Sequence, residues 1–207
     1  RIDDQIETDG AIAGVNAGAF FDNGTSDPSV GSVPEGLVYS KGACKWTTGS
    51  PPNGIKGFAG FNKDNILVVA QDNLSKAQAE ELNIRDGCCF GPVLIMNGEI
   101  NQEAYNSNSV WNPRTAIGQR KDGAVVFVCI DGRQAGSMGG TYKDVIDIMI
   151  EYGVVNACNM DGGSSSIMVY RDTYGLFGEA GTVQVINSYS LLQERPRKMP
   201  TFWMVAP

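Results

Sequence analysis

AVVFVCIDGRQAGSMGGTYKDVIDIMIEYGVVNACNMDGGSSS, residues 124–166, holds two apolar runs, each closed by an Asp-Gly pair, with a helical pattern between them. The runs 124–130 and 154–160 have the length and the β-branched content of buried strands. Thr141 with Asp144 forms a capping box ahead of YKDVIDIMIEY, and Val145, Ile148, Met149 and Tyr152 fall on one helical face. Gly153 then stands where a left-handed C-terminal cap belongs. Strand, helix, strand over this length reads most simply as a right-handed crossover between two parallel strands, which brings both strand ends to one edge of a sheet. Asp131 and Asp161 become neighbours there, at the carboxyl ends where ligands of such sheets sit.

The hairpin upstream adds a cation. RTAIG (114–118) and AVVFVCI are joined by QRKDG, and pairing about Lys121 sets Arg114 opposite Val128. At about 3.3 Å per residue, Arg114 then starts about 10 Å from Asp131, a gap its long side chain closes in large part. Gly162 and Gly163 permit positive φ and close backbone approach, and the N–H and hydroxyl groups of Ser164, Ser165 and Ser166 can line a small anion-binding concavity. Taken alone, Asp-Gly-Gly reads as a tight turn in which Asp161 bonds its own backbone. A second Asp-Gly and an Arg on the same edge tip the reading toward a site.

Further strands are expected at 11–15, 36–39, 57–61, 66–70, 92–96, 166–171 and 201–206, and a second capped helix opens at Ser75 with Gln78. The expected fold class is α+β, strand-rich mixed sheets with a few helices and one crossover, in a single domain over residues 1–207. A net charge of -7 offers no broad basic surface, so neither nucleic acid nor an anionic membrane is an expected partner. No apolar run is long enough to cross a bilayer, and a start at Arg1 reads as processing of a longer chain. Five cysteines without a C-x-x-C read as small buried hydrophobes rather than a disulfide framework.

Histidine is absent. That removes Ser-His-Asp and Cys-His schemes, imidazole bases and the usual zinc sites, so any chemistry falls to carboxylates, Arg, Lys, Tyr and backbone dipoles. Neither metal nor cofactor is expected. Asp22 and Asp27 in the 22–36 loop fail the spacing of a calcium-binding EF-hand. Asn16, in NAGAFFD, either orients a ligand hydroxyl or caps a turn. Glu35 abuts an apolar strand, although a solvated loop acid is the commoner case. Phe20 and Phe21 read as core, and Arg195 as a second phosphate ligand or part of a solvated charge run.

NAGAFFD, PEGLVYSKG, GPVLIMNGE, NPRTAIG, CIDGR, NMDGGSSS and the closing INSYS with ERP, in this order, resemble the phosphodiester glycosidase family from about Ala11 to Val205. Ser164 stands where many relatives have a third Gly, and the usual strands upstream of NAGAFFD are short or absent, as in a domain trimmed at its N-terminus. The resemblance implies hydrolysis of a sugar 1-phosphodiester, such as an α-linked N-acetylglucosamine phosphate or a cell-envelope glycopolymer, at the anomeric carbon. A phosphate monoester leaves readily once its charge is stabilised, so a strong general acid is not needed and an Arg fork suits the task.

On that reading Asp161 is nucleophile or base, Asp131 activates water or holds sugar hydroxyls, and Arg114 with Thr115 and the 162–165 turn binds phosphate. The full substrate-binding set is Asn16, Glu35, Thr115, Arg133, Asn159, Gly162, Gly163, Ser164, Ser165 and Arg195. The resemblance also implies a cell-envelope or extracellular location. A rival reading keeps the pocket without turnover, as a polysaccharide-binding module of a larger envelope protein. A metal-dependent phosphoesterase is a third, disfavoured by the lack of histidine and of a compact acidic cluster.

Overall fold

A computed structural model describes residues 1–21, 31, 33–48, 54–188 and 196–206. The chain opens with α1 (Ile2–Asp9), β1 (Ala13–Asn16), β2 (Phe20–Phe21), β3 (Val33–Pro34), β4 (Leu37–Ser40) and β5 (Ala43–Thr47). It continues through β6 (Phe58–Asn62), β7 (Leu67–Ala70), α2 (Lys76–Glu81), β8 (Ile84–Cys89), β9 (Val93–Met96), β10 (Glu99–Ile100) and α3 (Gln102–Tyr105). The last part runs β11 (Arg114–Arg120), β12 (Val125–Ile130), α4 (Tyr142–Glu151), β13 (Val154–Met160), a 3-10 turn at Gly163–Ser165, β14 (Met168–Arg171), β15 (Val183–Val185) and β16 (Phe202–Val205). The class is α+β and mostly β. All ten expected strands and both capped helices are present, while α1, α3, β2, β3, β5, β8, β10 and β15 lacked a readable pattern.

Among the described residues three sheets carry the fold, in the orders β10-β9-β13-β11-β12, β5-β4-β8-β6-β7 and β15-β14-β1-β16, with β2 and β3 as a separate ribbon. Their pairings are all antiparallel. The expected strand, helix, strand crossover is present as β12–α4–β13, but its two strands are not adjacent. β12 and β13 do run in the same direction, but β11 lies between them and pairs with both. The local hairpin claims one edge of β11, and the chain returning through α4 reaches the other. The carboxyl ends of β12 and β13 therefore share an edge of the sheet at two strand spacings, about 10 Å, rather than side by side.

The hairpin register is also corrected. Arg114 pairs with Ile130 and Ala116 with Val128. The Arg120 N–H bonds the Ala124 carbonyl and the Gly123 N–H bonds the Arg120 carbonyl, with Gly123 at φ 90°, so the turn centres on Asp122. Asp122 fastens it by accepting from Ala124 N–H and from the Arg120 guanidinium. Arg114 consequently lies one pairing step from Asp131.

β11 and β13 are buried along almost their whole length because this sheet is covered on both faces. On one face Ala116, Val128, Leu94 and Ala157 meet Val145, Ile146 and Met149 of α4. On the other, Ile117, Cys158 and Met160 meet Val15, Trp203, Ala59 and Cys88 of the neighbouring sheets. The capping box on α4 forms as expected. Its buried face is rotated from the expected one, however: Ile146 is buried, whereas Tyr152 is 57% exposed at the C-cap. The contact beneath explains this. A Cβ on Gly118 would lie 2.9 Å from Met149 Sδ and 2.7 Å from Val154 Cγ1, so the bare glycine brings the helix down at Met149.

All five cysteines are free thiols. Among the described residues no helix is long and apolar enough to cross a membrane. Met149→Ala removes the side chain that seats α4 on Gly118 and is expected to cost about 3 kcal/mol in urea unfolding. A loss under about 1 kcal/mol would mean that the helix is not held there.

Candidate active site

β1 ends in Asn16, which is wholly buried. Its Nδ2–H donates to the Asp161 carbonyl at 2.6 Å, and its Oδ1 accepts from the Thr115 hydroxyl at 2.7 Å and from Ile167 N–H at 3.1 Å. Asp161 N–H donates to the Ala17 carbonyl at 3.0 Å. One amide thus fixes the start of β11, the end of β13 and the chain leaving the turn after it. Each bond contributes about 1 kcal/mol net, and orphaning a buried partner costs more. Of the two sequence alternatives for Asn16, these bonds describe a side chain that positions Asp161.

The turn is pinned from below by Pro113. Gly163 takes φ 63° and donates its N–H to the Pro113 carbonyl at 3.0 Å, while a Cβ on Gly162 would stand 2.8 Å from that same oxygen. One glycine is needed for its dihedral and the other for close approach. Gly162 N–H donates to Asp161 Oδ1 at 2.8 Å, the local bond of a tight turn. The amides of Ser165 and Ser166 bond the carbonyls of Gly162 and Gly163. These two N–H groups are turned inward, so of the three serine amides expected to line a concavity they do not contribute. Ser164 is exposed; Ser165 and Ser166 are buried, and Ser166 Oγ makes no hydrogen bond among the described residues.

Asp131 is half-buried at the end of β12. Its Oδ1 accepts from Asn187 Nδ2 at 2.9 Å and its Oδ2 from Ser188 N–H at 3.0 Å. Asn187 also reaches the Ser166 carbonyl and accepts from Met168 N–H, so it ties Asp131 to the far side of the turn. Cys129, just before Asp131, has its thiol pushed up to about 12 by burial and then by the Asp131 charge, with the Thr115 hydroxyl opposing the shift. Thr115 and Asp131 thus share one face of the sheet edge.

Arg114 lies on the opposite face, as alternation from Thr115 requires. Its Nε–H donates to the Gly140 carbonyl at 2.9 Å, its Nη2–H to the Val110 carbonyl at 2.7 Å, and its guanidinium stacks 4.4 Å over the Tyr142 ring. Its bonds go to backbone carbonyls on the α4 side of the sheet. The cation on the turn is Arg133. It is exposed, takes φ 58°, and donates through Nε and Nη2 to Asn112 Oδ1. Its Nη1 and Nη2 lie 3.4 Å from the position a Cβ on Gly163 would occupy.

The remaining candidates divide. Asn159 is buried and donates to the Gly91 carbonyl at 2.9 Å, toward the lead into β9; its Oδ1 has no partner among the described residues. Glu35 is wholly buried, contrary to the solvated loop acid favoured from sequence. The cause is backbone pairing: β3 joins β2, and Glu35 N–H bonds the Ala19 carbonyl. Phe20 and Phe21 are only partly buried. Arg195, Asp22 and Asp27 lie outside the described residues.

Sequence reasoning missed Asn112, Asn187 and Arg197. Arg197 is 8% exposed, donates to Ser165 Oγ at 3.4 Å and stacks 4.8 Å over Phe20. Nothing in the charge run 194–198 marks it out from its neighbours. Among the described residues no three His, Cys, Asp or Glu side chains gather as a metal ion would require. A cleft of about 1370 Å³ opens elsewhere between the sheets, and a hollow of about 400 Å³ sits by the 120–122 turn; neither is lined by Asp131 or Asp161.

A family model described as phosphodiester glycosidase matches residues 9–206. The SPbeta prophage-derived protein YomE of Bacillus subtilis strain 168 is 45% identical over 93 residues, 44% of this chain and 14% of that protein. The solved structure of a zebrafish N-acetylglucosamine-1-phosphodiester alpha-N-acetylglucosaminidase catalytic domain, auto-inhibited by pro-peptide, superposes with TM-score 0.71 at 21% identity, covering 98% of this chain and 65% of that one. A hypothetical protein from Synechocystis superposes with TM-score 0.57 at 15% identity, covering 86% and 49%. These structures share the fold, and the chain spans under two thirds of the length of each protein named.

Asn16→Asp sets a carboxylate oxygen against the Asp161 carbonyl, and thermal unfolding is expected to show a loss of about 3 kcal/mol at pH 7. Burial and repulsion raise the new group's folded pKa, so stability is regained as pH falls toward about 4 and it becomes a donor. A loss that does not depend on pH would refute the assigned contact. Arg114→Met orphans two carbonyls and should lower stability by about 2 kcal/mol.

Proposed function

Matched over nearly its whole length, the chain belongs to the phosphodiester glycosidase family, and we propose that it hydrolyses a sugar 1-phosphodiester at the anomeric carbon. N-acetylglucosamine-1-phosphodiester and phosphodiester-linked cell-envelope glycopolymers are the substrate class, and an extracellular or envelope location goes with them. The observation that carries the reading is the company on one turn: a half-buried carboxylate, Asp161, with its backbone locked by Asn16 and Ala17, and the Arg133 guanidinium resting on Gly163 two residues away.

Asp161 acts at the anomeric carbon as nucleophile or as the base for a water. The locked backbone supports this, since a fixed carboxylate needs no reorganisation as the sugar develops positive charge. Arg133 takes the departing phosphate. Its Nη1 makes no hydrogen bond among the described residues, and Asn112 holds the rest of the fork in place. The charge gathered on the phosphate is what must be stabilised, so the step runs without a strong general acid. Asp131, already bonded to Asn187 and Ser188, orients sugar hydroxyls through its remaining lone pairs. Arg114 supports the edge from behind through the Val110 and Gly140 carbonyls.

Release of free N-acetylglucosamine from UDP-N-acetylglucosamine or an alkyl phosphodiester of the sugar tests the proposal. Asp161→Asn keeps shape and removes charge, and kcat is expected to fall by about 10²–10⁴ with unchanged circular dichroism. Near-normal turnover in that variant would remove Asp161 from the mechanism. Arg133→Lys should lower kcat/KM about tenfold by loss of the planar fork without lowering thermal stability, because the side chain is exposed. Saturable binding with no sugar released by the wild-type protein would instead make the domain a polysaccharide-binding module.

A further inference from the structure

The cleft of about 1370 Å³ contains none of the residues assigned above to catalysis. Its lining has an informative order. Every residue from Met199 to Ala206 faces it. Successive side chains of a strand point to opposite faces, so an unbroken run brings residues of both orientations to the space, as Arg85–Cys88 of the central strand β8 does too; what sets β16 apart is its position in its sheet. β16 is the outermost strand of its sheet and pairs only with β1 among the described residues. By contrast β12 contributes Val125 and Phe127, alternate residues, and so presents a face. An open strand edge beside an apolar floor is a template for another strand.

The rim has a sign. Lys41, Lys45 and Lys63 line the cleft, are exposed, and form no ion pair among the described residues. Of the acids that line it, Asp86 is paired to Arg85 at 2.6 Å and Asp9 accepts from Gln5. A basic rim on a chain of net charge -7 departs from the whole-molecule balance. It also disfavours a second copy of this chain as occupant, since edge-to-edge pairing of two β16 strands would set the same lysines face to face.

We propose that the cleft docks an acidic peptide strand of a separate polypeptide, which adds to the free edge of β16, seats alternate apolar side chains against Phe61, Phe127 and Trp203, and places its carboxylates by the three lysines. Backbone bonds along the β16 edge supply register, the aromatic floor supplies affinity, and the lysines select against basic strands.

The test is fluorescence anisotropy with a labelled short peptide alternating glutamate with valine or phenylalanine. Saturable binding is expected, weaker at high salt and weakened about tenfold by Lys45→Glu with Lys63→Glu. Both lysines are exposed, so circular dichroism of the double variant should match the parent. A peptide with lysine in place of glutamate should bind at least about tenfold more weakly. A peptide with proline at alternate positions, unable to donate to a ladder, should not bind. Equal affinity for the proline peptide, or displacement of the acidic peptide by dodecanoate alone, would make the cleft a site for an anionic amphiphile and overturn the strand. No binding, or a concentration-dependent dimer that excludes the peptide, would overturn it as well.

Discussion

The geometry of the candidate site depends on one buried amide. Asn16 gives a hydrogen bond to the Asp161 carbonyl and receives two, from Thr115 and Ile167. Its donor and acceptor faces are used on different elements, so at neutral pH neither Asp nor Gln replaces it: the carboxylate lacks the donor and Gln is a methylene too long. In a buried setting such bonds are stronger than in water, and a missing partner is costly. The amide therefore acts as a gauge that sets how far β13 extends before the chain turns at Gly162 and Gly163.

Around that gauge, the central sheet is closed on both faces, by α4 on one side and by the neighbouring sheets on the other. Burial of both faces leaves the strand ends as the places where polar groups can meet solvent. Asp131 and Asp161 occupy two such ends, at the same edge of the sheet. The intervening β11 separates them, and it divides its own first residues between the two faces: Thr115 toward the site, Arg114 toward α4. A cation placed for support on one face and a cation placed for ligand on the turn, Arg133, are thus distinguished by a single step of alternation.

Much of this was legible in the residues. The strands expected at 114–118, 124–130 and 154–160 and the capping boxes at Ser75 and Thr141 followed from periodicity and local hydrogen-bonding chemistry, which act over a few residues. The two glycines after Asp161 announced a special backbone. Short strands such as β2, β3 and β10 carried no period to read, and the hairpin register turned on where the tight turn closed, one residue from the symmetric guess. Glu35 looked solvated because its neighbours in sequence are loop residues; its burial comes from pairing with the Ala19 backbone, sixteen residues away in the chain.

The sequence by itself determined the strand-rich class, the family resemblance, the absence of imidazole chemistry, and the arrival of Asp131 and Asp161 at strand ends of like direction. Only the tertiary structure decided that β11 stands between those strands, that Arg114 faces carbonyls of Val110 and Gly140, that Arg133 rests on the turn, and that Asn16, Asn112 and Asn187 brace the edge. The physical reason is one of range. Backbone propensity, capping and polar alternation are set by neighbours along the chain, whereas the partner of a buried amide or guanidinium is chosen by which strand edges meet, and that depends on burying every apolar face at once.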